Sequence, residues 1–290
     1  MTGPMNRPTS TQPVFWRDSE LPHVELRQVS DGRTVCYAPH THTQWSMGAI
    51  TGGESTFEYV GRQYHVSEGS LVFMNPEWVH ACNPVDYQPW AYLMLYVDAS
   101  WLASLRFRLG FLDAPVWQDI HCDVTTSAVL YSGFQALADR LLDNGVSSEQ
   151  KEHDVEAFLS EVMVSISGAA GQAEKPFPPA PESLRELARY LDVHCTDELS
   201  VEWMAERAGV SPSHLVRVFR KYYGMTPHAY QINRRVQLGQ RAIRQGAPIA
   251  DAALAAGFFD QPHFQKAFKR LVAATPGQYS RPPKRHPDRV

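Results

Sequence analysis

The feature that most constrains this chain is a helical pattern that occurs twice in its C-terminal third. In the first copy, a helix with regularly spaced apolar residues ends at Gly209, and Ser211 and Pro212 then begin a second, basic helix. In the second copy, Gly257 ends the first helix and Asp260 leads into the basic one. A short helix, a glycine turn and a basic second helix are typical of the helix-turn-helix, whose second helix can enter the major groove of DNA.

A polar and strongly basic helix, predicted from about residue 227 to 245, lies between the two units and would hold them at a fixed separation. Adjacent major-groove faces recur about every 34 Å along one side of a duplex, so two fixed units can read neighbouring segments. The residues expected to face DNA lie on the exposed sides of the two basic helices: Ser213, Val216, Arg217, Arg220 and Lys221 on the first, and Gln261, His263, Gln265, Lys266 and Lys269 on the second.

Some of these side chains suit particular bases. Arg217 and Lys266 are suited to guanine edges, and Gln261 and Gln265 are suited to adenine. Arginines that neutralise phosphates would supply most of the affinity and its salt dependence. Taken singly, each basic residue is more simply explained as part of a solvated helix face, but two units in tandem favour DNA binding.

The charge of the chain is divided unevenly between its two parts. The net charge is −4, yet residues 183–290 hold 17 Lys and Arg against nine Asp and Glu, whereas residues 1–182 hold ten against 22. A basic C-terminal part beside an acidic N-terminal part indicates that one of them meets a polyanion. Between the two lies a stretch of small residues and four prolines, which favours a semi-extended linker.

The N-terminal part alternates short β-rich runs with turn residues. The runs at residues 24–29, 45–51, 55–60, 70–74 and 90–97 predict an antiparallel barrel or sandwich. Farther along, apolar residues recur at helical spacing in two stretches, which predicts a helical hairpin packed on the barrel. The second stripe is a candidate dimer interface, with packing on the barrel as the alternative; it consists of Val155, Phe158, Leu159, Val162, Met163 and Ile166.

Two segments of this N-terminal part carry side chains suited to binding. The first reads C-Y-A-P-H-T-H-T-Q-W and places His40 and His42 on the same face of a strand. The second follows Gly69 and Pro76 and contains His80 and Asn83. Together they resemble the two cupin motifs, in which such strands face one barrel cavity. Because a barrel mouth can gather a ring stack, imidazoles and an amide, the candidate effector-binding residues are His40, His42, Trp45, His80 and Asn83.

The same segments depart from the metal-binding form of the cupins. Metal-binding cupins resemble one another in having a glutamate four or five positions after the histidine pair, where this chain has Ser46 and Met47. Three neutral imidazoles can still hold zinc, nickel or iron, and purely structural histidines are a further alternative. The pattern favours a metal-free pocket for a small molecule, and no metal, cofactor or catalytic residue is predicted.

Residues 183–280 resemble the DNA-binding domain of the AraC/XylS family over essentially its full length. The resemblance rests on G-V-S-P-S-H-L at 209–215, F-R-K at 219–221, A-A-G-F at 255–258 and T-P-G-Q-Y at 275–279. It implies that the base-facing positions are Ser213, Val216 and Arg217 in the first unit, and Gln261, His263, Gln265 and Lys266 in the second. The family's connecting helix usually reads Arg-x-x-x-Ala; Gly239 stands at the alanine position here, which is expected to soften this helix slightly.

The fold class is therefore α+β, with an N-terminal cupin-like β-barrel and helical hairpin and a C-terminal all-α domain of two helix-turn-helix units joined by a linker helix. The expected order is a flexible leader (1–20), an effector-binding and dimerisation domain (21–166), a linker (167–182), the DNA-binding domain (183–281) and a basic tail (282–290). Four scattered cysteines without a CxxC pair, and no apolar run of about 20 residues, favour a reduced, cytoplasmic protein that does not span a membrane.

Members of this family with a cupin-like N-terminal domain are typically ligand-responsive transcription factors. The resemblance implies a sequence-specific regulator that binds double-stranded DNA. Activation is favoured over repression and a homodimer over other states, and both alternatives stay open. The resemblance also implies a small-molecule effector and a contact with RNA polymerase. Two alternatives remain: a constitutive regulator whose barrel only dimerises, and a metal-dependent cupin enzyme. The second lacks an acidic ligand and any other catalytic constellation, so the chain is predicted not to be an enzyme.

Overall fold

The computed structural model describes residues 13–33, 35–168 and 179–280. The strands are Val14–Trp16 (β1), Val24–Val29 (β2), Trp45–Gly52 (β3), Glu54–Tyr59 (β4), Arg62–Ser67 (β5), Leu71–Met74 (β6), His80–Pro84 (β7), Ala91–Val97 (β8) and Val124–Thr125 (β9). The helices are Ala99–Arg108 (α1), Ala128–Leu142 (α2), Ser148–Gly168 (α3), Glu182–Val193 (α4), Val201–Arg207 (α5), Pro212–Tyr223 (α6), Pro227–Arg244 (α7), Ile249–Ala255 (α8), Gln261–Val272 (α9) and Pro276–Ser280 (α10).

The strands form two antiparallel sheets that face each other. One has six strands in the order β1-β2-β8-β3-β6-β9, and the other has three in the order β5-β4-β7. Side chains from both sheets, among them Ile50, Val72 and Tyr92 from the first and Phe57 and Val66 from the second, pack into one core between them. The arrangement confirms the predicted α+β class, with an antiparallel, cupin-like N-terminal domain.

Helices α1, α2 and α3 cover the outer face of the six-stranded sheet. Because side chains alternate along a strand, Met47 and Leu95 point to this outer face, where they pack with Phe134 of α2 and Leu159 of α3. This contact buries the apolar stripe of α3. Four of its residues are fully buried within the single chain: Val155, Leu159, Val162 and Met163. The expectation that this stripe forms a dimer interface is therefore wrong, because its apolar surface is already covered.

The expected leader is also shorter than predicted. Residues 1–12 lie outside the described residues, but β1 pairs with β2, and its Phe15 and Trp16 are both buried. Trp16 packs in the core beneath α2 and α3, whereas Phe15 packs with the C-terminal helices. Most of the predicted linker, at residues 169–178, and all of the predicted basic tail lie outside the described residues.

The C-terminal domain consists of the two predicted helix-turn-helix units, α5–α6 and α8–α9, with α7 between them. Each unit has its own core: Leu215 and Phe219 anchor α6 in the first, and Phe264 and Phe268 anchor α9 in the second. Helix α7 contributes to both, with Tyr230 near its start in the first core and Ile243 near its end in the second. The described residues contain no helix long and apolar enough to cross a membrane.

Gly239 in α7 has a packing role that the sequence did not indicate. A Cβ atom at this position would lie 2.5 Å from Cε2 and 2.7 Å from Cζ of Phe264. The absence of a side chain therefore lets the fully buried Phe264 ring of α9 lie against the backbone of α7. The residue is better explained by this close approach than by a softening of the helix.

We expect Gly239→Ala to destabilise the protein although alanine is the better helix former. The intrinsic gain of about 1 kcal/mol is outweighed by overpacking against the Phe264 ring, which forces side-chain and backbone shifts that typically cost about 1–3 kcal/mol. Gly277→Ala in α10 is the matched control, because no atom lies within 4 Å of its Cβ position. Thermal unfolding of both variants measures the difference; a Gly239→Ala protein as stable as Gly277→Ala would contradict the packing role.

Candidate DNA-reading surface and effector cavity

Helix α6 is positioned by local signals at both of its ends. The Ser211 side chain accepts a hydrogen bond from the backbone N–H of His214, Pro212 occupies the first turn, and Gly224 ends the helix in the left-handed conformation. With Leu215 and Phe219 buried, the opposite side of the helix is left open to solvent. The predicted DNA-facing residues Ser213, Arg217, Arg220 and Lys221 are exposed there, and Val216 is half-buried beside them.

His214, which the sequence analysis did not select as a DNA-facing residue, forms a hydrogen bond with Arg217, the side chain of α6 that suits a guanine edge. The Arg217 guanidinium donates from Nη2 to Nδ1 of His214, at 2.9 Å, one turn earlier on the exposed face of α6. Because a guanidinium can only donate, this Nδ1 carries no proton in the bonded state. His214 thus restricts the orientation of Arg217, and a cap-x-x-His-x-x-Arg spacing is the signal that would have found it.

Helix α9 repeats the layout of α6. The Asp260 side chain accepts from the backbone N–H of His263 at 2.7 Å, and Phe264 and Phe268 are buried. His263 lies at the helical position of His214, but its ring packs edge-on against Phe258 at 5.1 Å. The predicted DNA-facing residues of this helix are all exposed: Gln261, His263, Gln265, Lys266 and Lys269.

Three arginines of α7 have protein partners and are not part of this surface. Arg234 forms ion pairs with Glu77 of the N-terminal domain and Asp192 of α4, both at 2.7 Å. Arg235 donates to the backbone oxygens of Cys195 and Asp197, and Arg244 donates to the oxygen of Pro22. The basic character of α7 therefore serves contacts within the chain more than contacts with phosphates.

We expect Arg217→Ala and Lys266→Ala each to weaken binding to a specific DNA site by about 1–3 kcal/mol, the usual value of a side chain that reads a base edge. Arg108→Ala is the control, because this exposed arginine lies on α1 and pairs with Glu156 of α3. Fluorescence anisotropy at fixed salt measures the affinities. Wild-type affinity in both variants would mean that α6 and α9 do not read the bases.

The predicted histidines meet at a small cavity between the two sheets. The ring centroids of His40 and His80 lie 4.4 Å apart, and those of His42 and His80 lie 4.7 Å apart. The cavity measures about 20 Å³, which is room for one water molecule. Its lining contains no acidic or basic side chain other than histidine among the described residues. The lining residues are Tyr37, His40, His42, Gly48, Ile50, Phe57, Val72, Met74, His80, Cys82, Trp90, Tyr92, Leu93, Met94 and Tyr96.

All three imidazoles are held in the same way. Nδ1 of His40, His42 and His80 lies 2.8–2.9 Å from a backbone oxygen two residues away. A carbonyl only accepts, so Nδ1 carries the proton and Nε2 is an acceptor, which in His42 already lies 3.3 Å from the Ser46 hydroxyl. Burial, followed by the neighbouring imidazole, lowers the pKa of His42 and His80 to about 3, and the same causes hold the pKa of His40 well below its usual value. The cluster is therefore uncharged at neutral pH.

Two of the predicted effector-binding residues do not join the histidines. Trp45 lies on the opposite face of β3, fully buried in the core under the helices, because it is odd-numbered in a strand whose even-numbered residues face the cavity. Asn83 accepts from the backbone N–H of Tyr37 and donates to its oxygen, so it fixes the chain rather than lining the cavity. The residues that the sequence analysis missed here include Tyr37, Tyr92 and Tyr96.

The described residues contain no group of three or more His, Cys, Asp or Glu side chains arranged to hold a metal ion. What the histidine cluster offers chemically is a set of hydrogen-bond acceptors in an aromatic and methionine-rich wall. Such a wall suits a small organic molecule that donates hydrogen bonds.

Unfolding in mild acid is expected to depend on these histidines. Because their pKa values are lowered in the folded state, the unfolded chain binds more protons below about pH 6.5, and stability falls as the pH decreases from there towards about 3. Each histidine contributes up to about 1.4 kcal/mol per pH unit. His23 and His228, whose pKa values burial also lowers, act in the same direction.

Urea unfolding at pH 7 and pH 5 measures this dependence. His42→Gln removes one titrating group and should reduce the difference between the two pH values. A free energy of unfolding that is equal at both would show that the three imidazoles bind protons as readily in the folded protein as in the unfolded chain.

The cavity wall also holds the C-terminal domain. Thr41, between His40 and His42, accepts from Nδ2 of Asn233 at 2.8 Å through its hydroxyl and from Nε2 of Gln237 at 2.7 Å through its backbone oxygen. Three residues earlier, the N–H of Ala38 donates to the backbone oxygen of Arg270 in α9. Residues 37–42 therefore touch the cavity, α7 and α9 at once, and we call them the cavity segment.

Comparison with known proteins agrees with this two-domain arrangement. Residues 23–165 match the family model of an AraC-like ligand binding domain, and residues 204–282 match that of a helix-turn-helix domain. The HTH-type transcriptional regulator YbfI of Bacillus subtilis is 26% identical over 225 residues, which is 77% of this chain and 80% of that protein. The lactose operon transcription activator of Staphylococcus xylosus is 21% identical over 233 residues, 79% of this chain and 81% of its own.

A solved structure shares the fold over nearly the whole length. ToxT from Vibrio cholerae O395 superposes with a TM-score of 0.52 at 11% identity, covering 93% of this chain and 96% of that one. The family to which the sequence motifs pointed is thus confirmed by matches to both domains and by the order in which they occur. With an AraC-like ligand-binding domain followed by a helix-turn-helix domain, this chain belongs to the AraC family of DNA-binding transcription regulators.

Proposed function

We propose that the protein is a ligand-responsive transcription activator that reads two adjacent major-groove segments. The observation that carries the proposal is the cavity segment, which lines the histidine cavity and is hydrogen-bonded to both α7 and α9. A molecule that alters the cavity therefore acts directly on the helices that set the positions of the two helix-turn-helix units.

The reading of two segments is supported by the geometry of α7. A continuous helix of 18 residues is about 27 Å long, and each of its ends is packed into the core of one helix-turn-helix unit. Adjacent major-groove segments on one side of a duplex are about 34 Å apart. A rigid connection of this length suits two recognition helices that enter successive turns of the major groove.

The response to an effector is supported by the small size of the cavity. Any molecule larger than water must enlarge it, and Met74 and Met94 are the most adaptable parts of its wall. The remaining way to gain space is to displace the cavity segment, which strains the hydrogen bonds from Thr41 to α7 and from Ala38 to α9. The proposed effector site comprises His40, His42 and His80, with Tyr37, Tyr92 and Tyr96 in place of Trp45 and Asn83.

Activation rather than repression is supported by the Staphylococcus xylosus relative, which is a transcription activator of the lactose operon. We further propose that the protein acts in the cytoplasm, as a homodimer, and contacts RNA polymerase at its promoters. The dimer must use a surface other than the buried stripe of α3. We also propose that the chain is not an enzyme, which its membership of a family of transcription regulators supports.

The direct test of DNA reading is selection of bound sequences from a random duplex library by the full-length protein. We expect an enriched site with two short motifs whose centres are separated by one helical turn, about 10–10.5 base pairs. Arg217→Ala should relax only the motif read by α6, and Lys266→Ala only the motif read by α9. A single enriched motif, or variants that relax both motifs equally, would contradict the two-segment reading.

Native mass spectrometry of the same protein tests the remaining parts. A dimer that carries a small organic adduct, lost on denaturation, would support an effector-binding homodimer. A metal adduct would instead identify the three histidines as ligands and contradict the proposed organic effector. A monomer in the absence of DNA would contradict the homodimer.

A further inference from the structure

Arg27 is a buried cation that lacks the partner such a group usually has. It lies on β2 with 1% of its surface exposed, and no carboxylate of the described residues forms a hydrogen bond or ion pair with it. The adjacent carboxylate, Glu25, instead accepts from Nε of Arg17 and from the hydroxyl of Tyr279. An arginine keeps its charge in a protein interior, so an uncompensated position of this kind is costly.

What compensates Arg27 is the end of α9. Nη1 donates to the backbone oxygen of Val272 at 2.6 Å, and Nη2 donates to that of Ala273 at 3.1 Å, whereas the buried Nε has no hydrogen-bond partner. The last carbonyls of a helix have no partner within the helix and form the negative end of its dipole. Two neighbouring oxygens therefore meet the guanidinium side by side, in the manner of a carboxylate.

The backbone conformation at this end of α9 supports the same interpretation. Ala273 caps the helix in the left-handed region, with a φ of 49°, where a residue with a side chain is strained. Its counterpart at the end of α6 is Gly224, for which this conformation is unstrained. The contact with Arg27 therefore stabilises a helix end whose backbone is strained. A ligand that competes for Arg27 would relieve that strain by displacing this end.

The guanidinium lies next to the histidine cavity. Its Cζ atom is 5.5 Å from the ring centre of Tyr37 and 5.7 Å from that of Tyr92, and both rings line the cavity. A second space of about 30 Å³ adjoins the histidine cavity. It is bounded by Tyr37, His40 and His42 on the cavity side and by Leu271 and Val272 of α9 on the other. Moving the end of α9 away would enlarge this second space, which Leu271 and Val272 bound, and would free the Nη atoms of Arg27.

We propose that Arg27 is the anion-binding group of the effector site and that the C-terminal end of α9 occupies the position of a small carboxylate ligand. The ligand's carboxylate takes the two Nη atoms, and its apolar body lies among Tyr37, Tyr92 and the histidines. The end of α9 and the effector compete for Arg27, so effector binding displaces the end of this DNA-binding helix. This inference rests on the proposed effector response.

The test compares benzoate with benzamide, two planar molecules of nearly equal size of which only benzoate is charged. Calorimetric titration of the full-length protein measures binding, and hydrogen–deuterium exchange follows the N–H of Ala38, which is bonded to Arg270, together with residues 270–276. We expect benzoate to bind at least about tenfold more tightly than benzamide. We also expect benzoate, but not benzamide, to accelerate exchange at both places.

Two substitutions assign the effect to Arg27. Arg27→Met keeps the length of the side chain without its charge, and should give rapid exchange of the end of α9 without ligand and no preference for benzoate. Arg27→Lys keeps the charge but cannot present two parallel donors, and should show a reduced preference. Arg17→Gln is the matched control: it removes another arginine between the domains, whose Nη1 donates to the oxygen of Tyr279, and should keep the preference.

Each outcome separates this inference from the proposed function. Equal binding of the two probes, or a benzoate preference that survives in Arg27→Met, overturns the anion site and leaves an effector response of another chemistry intact. Failure of both probes at millimolar concentration overturns the carboxylate class, and unchanged exchange in a folded Arg27→Met protein overturns the capping role. Failure of the proposed function appears elsewhere, as the absence of a selected two-motif DNA site.

Discussion

The docking of the C-terminal helices on the N-terminal domain is the interaction on which the organisation of this protein depends. Charged donors make much of this contact, with Arg27 on the end of α9, Arg234 of α7 on Glu77 and Arg244 on Pro22. Hydrogen bonds to charged groups contribute about 1.5–3 kcal/mol when made and cost more when one partner is left buried alone. These contacts therefore contribute to holding the two domains together.

Most of the C-terminal domain was predictable from sequence because its signals are local. Ser211 and Asp260 cap their helices through the backbone N–H three residues later, as their positions indicated. The glycine turns and the apolar stripes also lie within a few residues of the elements that they define. The meeting of His40 and His42 with His80 followed from the cupin resemblance. The predicted strand at His40 and His42 is wrong, because only His40 pairs, in an isolated bridge with His80, and β3 begins at Trp45.

What the sequence did not reveal depends on contacts between distant parts of the chain. Every residue of β3 from Trp45 to Ile50 is buried, so polarity does not distinguish the face of the cavity from the face of the helices. Strand β1 was taken for a leader because the partners that bury Phe15 and Trp16 lie in other elements, some of them at the opposite end of the chain. Arg27 reads as an ordinary charged strand residue until α9 is placed against it.

The stripe of α3 illustrates the same limit from the other side. An apolar helix face indicates that something covers it, but not whether the cover is the same chain or a second copy. Gly239 is similar, since only the position of the Phe264 ring distinguishes a close approach of two helices from a tolerated weak point.

Helix α9 carries its predicted DNA-facing residues near its start, and its C-terminal end contacts Arg27 about 18 Å away. Under the proposal that the effector binds at Arg27, the two binding events share one free-energy cycle, and coupling in such a cycle is reciprocal. Whatever factor an effector applies to the affinity for an operator, the operator must apply to the affinity for the effector. Under that proposal, sensitivity to the effector is a property of the occupied operator, and operators of different affinity give one regulator different response thresholds.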